Sequence, residues 1–287
     1  MPEFSLIVAT KGRADELGRL IRSLDEQQYA DYELIIVDQN DDDRLLPVIE
    51  SSAYPHKISH LRCGTGASRA RNVGIEHACG QILAFPDDDC WYPPNLLKSV
   101  SEWFHANPAY DMLSVTSRDD DGRKSCNRWF QQSCDIALIN VYRTSAAATY
   151  FIRATERVLS IRYDEGIGPG AATPYLGGED SDYVLALLHA GVRGRFEAKW
   201  HIGHPLKDIR DASISKDRAY IYGQGMGFVQ RKHRLVWLSL LQLAFDHGRA
   251  LCAYLVGRRE PAKLWYWHGR GVMDGFLRRL PEQQINT

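Results

Sequence analysis

None of the six cysteines (Cys63, Cys79, Cys90, Cys126, Cys134 and Cys252) pairs with another at CxxC spacing, and no Cys/His cluster has the spacing of a zinc site. Reduced thiols and a cytoplasmic location are therefore expected. The opening "MPEFSLIVAT" has neither the basic start nor the apolar length of a signal peptide. No long hydrophobic run is present. The longest, "LVWLSLLQLAF" at 235–245, is broken by Ser239 and Gln242 and is about half of what a bilayer-spanning helix needs. There is no internal repeat or low-complexity tract. Neither the net charge of −1 nor any RNP-type aromatic motif points to nucleic acid, so none is expected as a partner.

What remains is ordinary globular material. The 287 residues are 44% apolar, enough for one large domain, or one domain with an appendage. Charge is unevenly placed. Residues 201–287 hold 14 Lys and Arg against 7 Asp and Glu, whereas the remaining 200 residues hold 21 against 29. An acidic body with a basic tail invites a partner for the tail.

The first hundred residues alternate strand and helix patterns. "FSLIVA" (4–9), "ELIIVD" (33–38), "KISHLRC" (57–63) and "QILAFP" (81–86) read as strands. Between them, Leu17, Leu20, Ile21 and Leu24 mark a helix face, "RLLPVIESS" a short helix, and "GASRARNVGIEHA" a loop running into a helix. "PPNLLKSVSEWFHAN" is a helix with proline near its first turn. This order implies an α/β fold, with a mostly parallel sheet flanked by helices, whose ligands bind beyond the carboxyl ends of the strands. Further on, "YDMLSVTS" and "IALINVYR" read as strands around a polar loop at 117–134. Residues 177–191 read as a helix with acids in its first turn, and 217–279 as mostly helical.

The stretch "AFPDDDCWYPP" sets Asp87, Asp88 and Asp89 side by side after a strand. Two such charges about 6 Å apart at an effective dielectric near 20 repel by roughly 3 kcal/mol. A solvated turn with one helix-capping Asp explains one acid well and three poorly. A site for Mg²⁺ or Mn²⁺ explains all three, since hard cations take carboxylate oxygens and turn the repulsion into attraction.

"VATKGRADEL", "VDQNDDD", "GTGASRARNVG", "FPDDDCWYPP" and "GGEDSDYVLAL" occur in that order, and the set resembles family 2 glycosyltransferases of the GT-A fold over residues 4 to about 205. The resemblance implies a metal-dependent, inverting transferase that moves a sugar from a nucleotide-diphosphate donor to a hydroxyl of a saccharide or lipid-linked acceptor. It places Ala9, Thr10, Lys11 and Arg13 along the nucleoside, Asp38 on the base, and Arg71 near the pyrophosphate, with Asn72 and Gly74 shaping a turn. Asp87 and Asp88 would meet the donor, and Asp88 the ribose. Asp89, Asp87 and His204 of "HP" would face a Mn²⁺ or Mg²⁺ ion. Asp180, or else Glu179, would be the catalytic base. Each assignment has a plainer alternative: a strand-ending turn for Asp38, a solvated helix face for Arg71, helix-terminus charge for Glu179 and Asp180, and a hydrogen-bonded loop residue for His204.

The expected organisation is a catalytic domain at 1–205, with a donor half to about 110 and an acceptor half from about 111, and a helical extension at 206–287. The Gly- and Pro-rich "GIGPGAATPYLGGED" is either an ordinary loop or a lid that orders on donor binding. The tail is read as helices packing on the domain, with a peripheral contact to anionic lipid as an added reading. Two rival functions remain at this point: a sugar-nucleotide nucleotidyltransferase and a non-catalytic saccharide-binding relative. Release of nucleoside diphosphate rather than pyrophosphate separates transferase from nucleotidyltransferase.

Overall fold

The structure, a computed structural model, describes residues 1–54, 57–206 and 216–278. They form two compact units, residues 1–163 with 183–206, and residues 164–182 with 216–278. Residues 164–182 group with the C-terminal helices.

The first unit opens as the hydrophobic pattern predicts: β1 (Phe4–Thr10), α1 (Ala14–Asp25), β2 (Tyr32–Asp38), α2 (Leu46–Glu50), β3 (Ile58–Arg62), α3 (Ala67–His77), β4 (Ile82–Ala84) and α4 (Leu96–Ala106). Strands β3, β2, β1 and β4 are neighbours in that order and all parallel. β1 is buried along its whole length except for half-buried Ala9, because both faces are covered. Phe4, Leu6 and Val8 join Leu34 and Ile36 of β2 in a core closed by Leu17, Leu20, Ile21 and Leu24 of α1 and by Leu97 and Val100 of α4. Each such buried aliphatic side chain contributes roughly 1.5–3 kcal/mol. On the opposite face α3 lies so close to β1 that a Cβ on Gly74 would come within 2.2 Å of Ile7 Cγ2.

The sheet then grows by β5 (Met112–Arg118), β6 (Cys134–Ile136), β7 (Tyr150–Arg153) and β8 (Gly194–Gly203), with α5 (Glu156–Leu159) and α6 (Glu179–His189) between. The order is β3-β2-β1-β4-β7-β5-β8-β6, with β7 antiparallel to both β4 and β5. Two expectations change here. "IALINVYR" is a strand only to Ile136, because the Asn140 side chain accepts from Ala137 N–H and donates to the Asp135 carbonyl, turning the chain into a 3₁₀ turn at Val141–Arg143. β7 and β8 were not anticipated.

In the second unit, α7 (Lys216–Lys232), α8 (Val236–Leu255) and α9 (Arg259–Leu277) realise the helical tail, while 207–215 and 279–287 lie outside the described residues. α7 and α9 meet backbone to backbone. A Cβ on Gly271 would lie 2.1 Å from the Tyr220 carbonyl oxygen, and one on Gly275 1.9 Å from that of Gln224. The segment 164–178 is an ordered loop of this unit. Gly168 N–H donates to the Tyr175 carbonyl, and the Tyr175 ring stacks on Phe228 at 3.9 Å.

Candidate active site

β1 sends its chain to β2 on one side, while β4 lies on its other side, so the sheet has a topological switch point between β1 and β4. Thr10 ends β1 and Asp87–Asp89 follow β4, which brings both segments to this crevice. Thr10 Oγ1 donates to Asp88 Oδ2 at 2.9 Å. Arg13, just before α1, donates from one guanidinium nitrogen to Asp88 Oδ1 and Asp89 Oδ2, both at 2.8 Å. Arg71 of α3, nearly buried, faces Asp87 Oδ1 at 3.4 Å.

His204 completes the group. Its Nε2 lies 3.2 Å from Asp89 Oδ1 and 3.7 Å from Asp87 Oδ2, and the residue is 1% exposed. Backbone geometry puts it there. Trp91 and Gly203 exchange two N–H to carbonyl hydrogen bonds of 3.0 and 2.7 Å, tying the end of β8 to the segment after the aspartates. The Trp91 indole covers Gly203 so closely that a Cβ there would be 2.0 Å from the ring. His204 Nδ1 is 2.7 Å from the Pro205 carbonyl, an acceptor only, so Nδ1 carries the proton and Nε2 is directed at the carboxylates.

Charge balance follows from this packing. Burial works against a charged His204, but hydrogen bonds to Asp87 and Asp89 outweigh it and push the imidazole up to about 12. Burial also opposes ionisation of Asp87, yet His204 and Arg71 hold it below the usual carboxylate range. At Asp88, burial prevails over Arg13 and Thr10 and lifts the carboxyl. Asp87, Asp89 and His204 each offer a ligand atom, all within 4.8 Å of one another. Two carboxylate oxygens and one oriented imidazole nitrogen suit a first-row or alkaline-earth divalent ion. These three residues can therefore bind a metal ion.

The other expected site residues are placed as follows. Ala9 is on β1 beside this edge, and Lys11 Nζ donates to Thr65 Oγ1 at 2.7 Å. Asp38 is fully buried at the end of β2 in register with Thr10, but its oxygens take bonds from Asn40 N–H and Nδ2 and face His60 Nε2 at 2.9 Å, not the aspartate cluster. Sequence reading overlooked His60, although it sits in the alternating "KISHLRC" two residues from the strand end. Asn72 and Gly74 shape no turn, since both are inside α3. Asn72 grips the Tyr163 backbone through two 2.9 Å hydrogen bonds, and Gly74 admits Ile7. Asp119–Asp121 form a solvated turn, in which Asp119 accepts from Asp121 N–H and Arg123 N–H.

Glu179 and Asp180 start α6 within the second unit. Glu179 is nearly buried, and Gly168, at φ +107°, passes within contact of its side chain. One turn on, Asp182 is held by Lys232 Nζ at 2.8 Å and faces His233 Nε2 at 2.8 Å, anchoring the start of α6 to α7.

The family model "Glycosyl transferase family 2" matches residues 5–159, more than half of the chain. The chain belongs to glycosyltransferase family 2. Among curated relatives, the Escherichia coli UDP-Glc:alpha-D-GlcNAc-diphosphoundecaprenol beta-1,3-glucosyltransferase WfgD is 29% identical over 108 residues, 37% of this chain and 43% of WfgD. The matches span only about 35–43% of the first curated relatives' own length. Two solved structures share the fold. S. aureus TarS 1-349 in complex with UDP-GlcNAc has a TM-score of 0.65 at 19% identity, covering 98% of this chain and 82% of TarS 1-349. The mannosyltransferase PcManGT from Pyrobaculum calidifontis, in complex with GDP-Man and Mn²⁺, has a TM-score of 0.64 at 15% identity, covering 97% and 87%. This family 2 glycosyltransferase thus has the GT-A architecture expected of its motifs, with the aspartates of the DxD element at the switch point of the sheet.

Proposed function

We propose that the protein is a metal-dependent, inverting glycosyltransferase that moves a sugar from a nucleotide-diphosphate donor to a hydroxyl of a saccharide or lipid-linked acceptor. The observation that carries this reading is the convergence of Asp87, Asp89 and His204 beside Thr10, Arg13 and Arg71 at the switch point. Asp87, Asp89 and His204 would hold Mn²⁺ or Mg²⁺, which when bound neutralises charge on the diphosphate leaving group. The donor set of the site and the Mn²⁺ in the PcManGT complex support that cofactor. The names of WfgD and of the TarS complex support a nucleotide-sugar donor, and that of WfgD a lipid-linked acceptor.

The chain's own groups divide the work. Thr10 and Arg13 hold Asp88 in place for a donor ribose, and Arg71 supplies positive charge for the pyrophosphate. Ala9 and Lys11 border the nucleoside. Asp38 reads the base, with His60 and Asn40 fixing its carboxylate. Asp180, with Glu179 as the alternative, takes the proton of the acceptor hydroxyl as its oxygen attacks the anomeric carbon. One displacement at that carbon inverts its configuration.

The test is turnover of UDP-, GDP- and dTDP-sugars with Mn²⁺ or with chelator. The reading expects metal-dependent release of nucleoside diphosphate with no pyrophosphate. It also expects Asp180→Asn to lower kcat by roughly 10²–10⁴-fold while donor binding survives. Full turnover in chelator would refute it, and full turnover in Asp180→Asn would move the base elsewhere, with Glu179 the alternative.

A further inference from the structure

Helix α8 is built inside out. A helix packed against a protein in water turns its large apolar residues inward and its polar ones outward. α8 does the reverse. Its buried positions are Ser239, Asp246 and Ala250, whereas Leu240, Leu241, Phe245, Leu251, Tyr254 and Leu255 are 55–72% exposed. Beside buried Val229, Leu235 and Val272, the contacts between α7, α8 and α9 are made largely by polar or small residues. Ser239 of α8 donates to Gln230 of α7 at 2.7 Å, Asp246 of α8 faces His268 Nδ1 of α9 at 2.7 Å, and Tyr220 of α7 donates to Asp274 of α9 at 3.1 Å. The glycine contacts described above let α7 and α9 close to backbone distance. Small residues at the helix contacts, hydrogen bonds between helices and bulky apolar residues outside are how helices associate in lipid.

Charge selects the occupant of this face. Residues 216–278 carry 11 Lys and Arg against 4 Asp and Glu, and two of those acids, Asp246 and Asp274, are buried. No acid is exposed along α8. The α8–α9 turn presents Tyr254, Leu255 and Val256, the last two more than 70% exposed, followed directly by exposed Arg258 and Arg259. The Arg249 guanidinium lies over the Phe245 ring at 3.9 Å and the Trp265 ring at 4.7 Å. Among the described residues no helix is long and apolar enough to cross a membrane.

The geometry points to α8 and the α8–α9 turn as a surface that lies in the interface of a membrane bearing anionic headgroups, its apolar side chains among acyl chains and Arg258 and Arg259 at the phosphates. α8, 20 residues and so about 30 Å long, would lie along the plane and not across it. The inference does not depend on the transfer chemistry, because it rests on the second unit alone.

The test is co-sedimentation of the full chain with vesicles of phosphatidylcholine alone or of phosphatidylcholine with phosphatidylglycerol. The chain should pellet with the anionic vesicles, weakly with the neutral ones, and less at high salt. Arg258→Glu with Arg259→Glu should lower partitioning about fivefold or more per residue. Leu241→Glu with Leu255→Glu should abolish it, with the melting temperature and Mn²⁺-dependent nucleotide binding unchanged, since both positions are exposed. A wild-type chain that stays in the supernatant with both vesicle types overturns the inference. So does a concentration-dependent dimer in light scattering that the leucine substitutions dissociate while vesicle binding is unaffected, which would assign the face to a second copy.

Discussion

Asp87, Asp88 and Asp89 each face a cationic side chain: Arg71 and His204 at the first, Arg13 at the second, Arg13 and His204 at the third. Of these, His204 alone can be both a charge partner and a metal ligand, because an imidazole must lose its Nε2 proton to coordinate. With His204 pushed up to about 12, a metal competes with a proton throughout the neutral range. The affinity of Mn²⁺ should therefore rise with pH, and binding should release protons. Calorimetry in buffers of different ionisation enthalpy measures both, and pH-independent binding without proton release would remove His204 from the ligand set. Gly203 acts through Trp91. Gly203→Ala puts a methyl into the indole, an overpacking worth about 1–3 kcal/mol, and should weaken Mn²⁺ binding. Trp91→Ala in that background should restore part of it. If the two substitutions are additive instead, the indole does not position His204. Little of this fine structure is written in the motif. "DDD" announces acids, but the partners at 13, 71 and 204 come from three other elements, and burial decides which oxygens they meet.

At the scale of elements, legibility followed burial. β1, β2 and β4 read as short apolar runs because both their faces are covered, and α1 showed a clean stripe because one face is. β8 alternates Phe196, Ala198, Trp200 and Ile202 with Arg195, Glu197, Lys199 and His201, a period-two signal that was present but overlooked beside the "HP" element. β7, only four residues long, offers too short a window for any period. "IALINVYR" misled because an Asn side chain, not hydrophobicity, ends its strand. The tail could be read as helical, but its packing mode could not, because glycines weaken a helical pattern while permitting the contact that joins α7 to α9. Gly275→Ala should drive the Gln224 carbonyl away and destabilise the second unit by about 1–3 kcal/mol or more. Thermal melting measures this, and an unchanged melting temperature would mean that α7 and α9 are not held that closely.

For the molecule as a whole, the chain forms two compact units that exchange segments. The motif carrying Glu179 and Asp180 belongs by packing to the helical unit, and Asp182 ties it there through Lys232. The donor-side residues all belong to the sheet unit. The glycosyltransferase family was legible from ordered motifs, whereas donor sugar and acceptor depend on loop shape, which composition and spacing do not encode. The account stands or falls on whether the aspartate cluster holds a donor's diphosphate through a cation. Calorimetric titration of UDP, GDP and dTDP into the wild type and Asp89→Asn, each with Mn²⁺ and with chelator, measures this directly. One of the nucleotides should bind the wild type only with Mn²⁺, and binding should be lost in Asp89→Asn. Equal binding in chelator, or undiminished binding in Asp89→Asn, would contradict the account.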